Sequence, residues 1–104
     1  MHFLITAHDY PDSLDRRLSV RPAPLANLET IKGHIVLAGG ILDEAGKPVG
    51  ASLVLEFDTQ EEVEHYLETE PYVTEGVWST IRVEPFNTVI LDEYSGLDSI
   101  TSPV

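Results

Sequence analysis

Few residues in this chain can do chemistry. It has no cysteine, which excludes disulfides, thiolate metal sites, iron–sulfur clusters and a thiol nucleophile. There are four histidines. His2 opens a strand-like run, His34 follows Gly33 at a helix end, and His65 lies between Glu64 and Tyr66 on an acidic helix. Each reads as structural or exposed. His8 differs, because it ends the first strand-like run on the face opposite Phe3 and Ile5. A neutral imidazole there could act as a general base. No two histidines have the spacing of a metal site, and the acids show no ligand pattern. No metal and no cofactor are expected. Gly39-Gly40 lies within a strand pattern and is not a phosphate-binding loop.

Cations and acids are unevenly placed. Eighteen acidic residues stand against six basic ones, for a net charge of −12. Residues 51–104 carry twelve of the acids and a single base, Arg82. Binding to nucleic acid needs cations that displace phosphate counterions, so that class is excluded. An anionic membrane would also repel this surface. Any anion binding falls to Arg16, Arg17, Arg21, Lys32 or Lys47. Arg21 can grip an anionic substrate through its planar fork, or form a structural salt bridge. Glu70 follows an acidic helix and precedes the Pro71 turn. In an apolar pocket it can shuttle a proton, and otherwise it is one more surface acid. Tyr72 and Trp78 can line a pocket for a ring or simply pack the core.

These residues must be positioned by a single domain, since the chain has 104 residues. Residues 3–8 alternate as a first strand. Ser13 to Leu18 allow one helical turn capped by Asp12. Leu25, Leu28 and Ile31 recur at helical spacing, which predicts a helix at about 22–33. Residues 35–42 and 51–57 read as two strands of a hairpin with a long connection. Asp58-Thr59-Gln60-Glu61 resembles a capping box that starts a helix at about 59–68. Residues 72–78 allow one further turn. Ser79 to Leu91 read as a last strand, with Pro85 marking an edge or bulge. Residues 92–104 form a polar tail. The order βαββαβ predicts a ferredoxin-like α+β fold, an antiparallel sheet with its helices on one face. The other face would carry Leu4, Val36, Ala38 and Val54. Such a half-apolar face calls for a partner, most simply a homodimer through the sheet faces. The N-terminus lacks the pattern of a signal peptide, and no stretch has the length of a membrane helix. The expected location is cytoplasmic.

Four short segments in this order resemble the YCII-related (YciI-like) family over residues 1–91. They are residues 12–23 (Asp12 to Ala23), Ala38-Gly39-Gly40, Glu70-Pro71-Tyr72-Val73 with Gly76-Val77-Trp78, and Val83-Glu84-Pro85-Phe86. The resemblance implies a dimeric α/β-barrel-like assembly and lyase- or isomerase-like proton transfer on a cyclic or phenolic metabolite. It also implies a histidine–aspartate dyad, in Arg-Pro-x-His and Asp-Pro-Tyr motifs. Here Arg21 and Pro22 match the first motif, but its histidine position holds Pro24. Glu70 stands at the aspartate position, before Pro71 and Tyr72. Proline offers no titrating side chain, so the dyad cannot work in its family form. Two readings follow: an enzyme with Glu70 and His8 as catalytic residues and Arg21, Tyr72 and Trp78 as substrate-binding ones, or a non-catalytic small-molecule-binding or accessory homodimer.

Overall fold

The structure is a computed structural model that describes residues 1–91. The expected polar tail at 92–104 lies outside the described residues. The elements run β1 (His2–Asp9), α1 (Leu14–Val20), α2 (Pro22–Thr30), β2 (Ile35–Leu42), β3 (Pro48–Glu56), α3 (Gln60–Thr69), α4 (Pro71–Thr74) and β4 (Trp78–Phe86). The four strands form one antiparallel sheet in the order β2-β3-β1-β4. This is the ferredoxin-like arrangement expected from the element order.

Period-two alternation builds the core. Phe3, Ile5 and Ala7 of β1 share a face with Leu53 and Leu55 of β3 through the pairs Phe3↔Leu55 and Ile5↔Leu53. Val63, Tyr66 and Leu67 of α3 close over that face, joined by Tyr72, Val77 and Trp78. The apolar stripe on α3 has the three-to-four spacing a packed helix requires.

Several boundaries differ from the expectation, each for a local reason. Asp12 does not cap α1 but sits at φ 58 in the turn before it. A short polar side chain tolerates that left-handed conformation better than most. The helix expected at about 22–33 ends at Thr30, because Gly33 at φ 99 turns the chain away. Thr59, not Asp58, caps α3 and accepts from the Glu62 amide at 3.3 Å. The last strand ends at Phe86 rather than Leu91. Pro85 is within it, on the sheet edge, where a missing N–H is tolerated.

The largest correction concerns β2. Ile35 pairs with Leu55, but Leu37 pairs with Val54, so the strand bulges at Val36. A bulge adds one residue and moves every later side chain to the other face. Leu37 therefore joins Leu4 and Val54 on the open face, while Ala38 pairs with Leu53 on the helix face. Ala38 is not part of the open face that simple alternation gave it.

Candidate active site

A cleft of about 670 Å³ opens between the helix face of the sheet and helices α1 and α2. Its polar groups are Arg17, Arg21, Tyr66, Glu70 and Tyr72. Leu25, Leu28, Leu42 and Leu53 supply apolar wall, and Trp78 adds a flat aromatic surface. Ala38 and Gly40 border it from β2, where small residues leave room.

Glu70 is 2% exposed and is the link between two helices. It ends α3, and its carboxylate then accepts from the Tyr72 amide at 3.2 Å to start α4. The other carboxylate oxygen accepts from the Tyr66 hydroxyl at 2.5 Å. Tyr66 and Glu70 are four residues apart, the spacing that stacks side chains on one helix face. Burial is the larger cause, and the Glu70 contact the smaller, that push the Tyr66 phenol far above its ordinary value of 10.0. Tyr72 is raised as well, chiefly by burial, with the nearby arginines acting in the opposite direction.

A second network holds a cation in place. Arg17 donates from Nη1 to both Asp9 oxygens, at 2.8 and 3.1 Å, and from Nη2 to the Gly50 carbonyl at 3.1 Å. The side chains of Arg17 and Asp9 are only 7% and 5% exposed. The Arg17 guanidinium also lies 4.4 Å from the Tyr72 ring centroid. That ring in turn meets Trp78 at 5.6 Å between centroids. Burial lifts the Asp9 carboxyl above its ordinary range, and Arg17 offsets part of that rise. Both partners are thus buried and joined at ion-pair distance.

The structure brings Glu70, Arg21, Tyr72 and Trp78 together around this cleft. It does not bring His8 to them. His8 is exposed and pairs with Gly50 and Thr80 on the open sheet face. Alternation puts His8 and the helix-side row on opposite faces, so it cannot serve a pocket under the helices. Pro24, buried in α2, does line the cleft. Arg21 is exposed at the cleft and has no carboxylate partner among the described residues. Sequence reasoning named Arg17 only as one of five possible anion-binding cations, and missed its partner Asp9 and the hydroxyl of Tyr66. Asp9 continues the inward row Phe3, Ile5, Ala7, which was the available signal.

Comparison with known proteins places this site in context. The family model of the YCII-related domain matches residues 1–87. The chain belongs to the YCII-related family. Protein YciI of Escherichia coli O6:H1 is 35% identical over 97 residues, covering 86% of this chain and 99% of that protein. An uncharacterized protein of Haemophilus influenzae is 30% identical with the same coverage. Among solved structures, 5-chloro-2-hydroxyhydroquinone dehydrochlorinase (TftG) from Burkholderia phenoliruptrix AC1100 superposes with a TM-score of 0.78 at 30% identity. The match covers 84% of this chain and 94% of that one, and that structure is a complex with 2,5-dihydroxybenzoquinone. No helix among the described residues is long and apolar enough to cross a membrane.

Proposed function

We propose that this YCII-family chain is a small-molecule enzyme that moves a proton on a cyclic phenol- or quinone-type ring held in the cleft. The observation that carries this reading is Glu70, a carboxylate 2% exposed on the wall of a largely apolar cleft. Burial of an acid in such a place is a common device for proton transfer. Arg21, free of carboxylates among the described residues, holds the ring's negative oxygen. Arg17 adds a fixed positive charge, and Tyr72 and Trp78 offer aromatic faces. The ligand of the dehydrochlorinase neighbour, a planar dihydroxyquinone, has the shape and charge these groups would suit. Pro24 stands where the family pattern has its histidine, so the proton carrier must be sought elsewhere in the cleft.

The test uses 2,5-dihydroxybenzoquinone as probe. Trp78 is the sole tryptophan, so its fluorescence reports on the cleft alone. Saturable quenching is expected, weakened about tenfold in Arg21→Ala through loss of a charged contact. In D2O the protein should speed exchange of the probe's ring protons, and Glu70→Gln should lower that rate about 100-fold. A wild-type rate equal to that of buffer sinks the reading. Quenching without exchange would favour a binding protein that performs no chemistry, the alternative that Pro24 supports.

Self-association through the open sheet face belongs to the same proposal. Leu4 and Leu37 flank the already buried Val54 there in register, and Leu37 is 49% exposed. Light scattering at micromolar concentration is expected to give twice the 11.5 kDa chain mass, and Leu37→Glu to halve it. A wild-type mass equal to one chain would refute the dimer.

A further inference from the structure

We infer that the Tyr66 hydroxyl, backed by Glu70, is the group that exchanges protons with the ring, so that Tyr66 takes the place Pro24 leaves empty. The inference rests on the proton-transfer reading above and names the path within it. The titrating groups of the cleft are few. Arg17 and Arg21 are donors only and cannot accept a proton from the ring. Asp9 is committed to Arg17. His8 is on the other side of the sheet. That leaves Tyr66, Glu70 and Tyr72. Tyr72 adjoins the Arg17 cation and has no base hydrogen-bonded to its hydroxyl among the described residues. Tyr66 does have one, since its hydroxyl donates to Glu70 Oε2 at 2.5 Å. Glu70 Oε1 is already held by the Tyr72 amide. Both carboxylate oxygens therefore have protein donors, while the Tyr66 oxygen keeps a free lone pair on a side chain that lines the cleft.

The pair can carry protons in both directions without leaving a tyrosinate behind. With a solvent deuteron on Glu70 Oε2 the hydrogen bond runs the other way, from Glu70 to Tyr66 Oη, and Tyr66 delivers its own deuteron to the electron-rich ring carbon of the probe anion. Glu70 refills Tyr66 in the same step and becomes a carboxylate. Once the ring has turned its other face to Tyr66, the original C–H bond breaks, and its electron pair returns to the ring. Its proton goes to Tyr66 Oη as the Tyr66 deuteron passes to Glu70 Oε2. Ring, phenol and carboxyl end as they began, with one hydrogen replaced.

The experiment is ring-proton exchange of 2,5-dihydroxybenzoquinone in D2O, followed by NMR, alongside Trp78 quenching. Tyr66→Phe keeps the ring and removes only the hydroxyl. We expect the exchange rate to fall about 100-fold while probe affinity changes less than about threefold. A variant that exchanges at the wild-type rate, while Glu70→Gln is slow, overturns this inference and leaves the proposed function standing. Parallel loss of affinity and rate makes Tyr66 a packing residue and also overturns it. A wild-type protein without exchange activity removes both. A measurement on the wild-type chain needs no variant. In H2O–D2O mixtures, two protons moving in one step make the rate fall along a curve with deuterium fraction. A straight line means a single proton in flight, and no relay through Tyr66.

Discussion

Asp9→Ala is expected to destabilise the fold by about 3–5 kcal/mol, the usual consequence of stripping one partner from a buried ion pair. Asp9 and Arg17 are nearly sealed from water. The alanine variant leaves the guanidinium with only the Gly50 carbonyl and the Tyr72 ring around it. A single exposed pair such as Arg82–Glu84 would cost well under about 1 kcal/mol on the same treatment. The double variant Asp9→Leu/Arg17→Met replaces both charges by apolar groups of similar size. It should recover most of the loss, because no isolated charge remains buried. Denaturant midpoints of the two variants decide the matter. An alanine variant within about 1 kcal/mol of wild type would mean that water reaches Arg17 in solution.

The second large effect is expected at Gly50, for a backbone reason. A Cβ built there would stand 2.3 Å from the Ala7 carbonyl oxygen and 3.3 Å from Ile41 Cδ1. The first obstacle is main chain in the middle of the sheet and cannot rotate aside. Gly50→Ala must therefore push β1 and β3 apart where Ala7↔Ala51 and His8↔Gly50 pair. A loss of about 3 kcal/mol is expected, which for a chain of this size lowers the melting temperature by on the order of 15 °C. The same shift displaces the carbonyl that anchors Arg17, so probe binding in the cleft should weaken too. A melting temperature unchanged from wild type would show that the strands can separate locally at no cost.

The outline of the fold was legible because its signals are local. Alternation in residues 3–7, the 3–4 spacing of Val63, Tyr66 and Leu67, and the Gly and Pro punctuation each depend on near neighbours in sequence. The bulge at Val36 was not legible, since nothing in Ile35-Val36-Leu37 marks where an extra residue is absorbed. The site was legible only in part. Arg21, Glu70, Tyr72 and Trp78 were found through their motif segments. The burial of Glu70 could not be read from an acidic run such as Glu68-Thr69-Glu70. The pairing of Asp9 with Arg17 escaped because it depends on the left-handed turn at Asp12 that folds α1 back on the end of β1. Tyr66 falls in the apolar stripe of α3 with Val63 and Leu67, which hides the role of its hydroxyl, although its i,i+4 relation to Glu70 is visible in the sequence. His8 stands on the face that alternation gives it, opposite Phe3 and Ile5, and that same alternation keeps it out of a cleft on the helix side.

The bulge in β2 also couples two properties that would otherwise vary separately. Were β2 to pair as a regular strand, Leu37 would turn into the cleft and Ala38 would turn outward. The space available to a ring would shrink by the difference between a leucine and an alanine. The outer surface would lose its exposed leucine in the same stroke. A relative of this chain that keeps the length of β2 but pairs it without the bulge would thus alter both the size of molecule admitted and the tendency to self-associate. Loss of Val36 itself is the exception, since it removes the surplus residue and leaves Leu37 outside and Ala38 within.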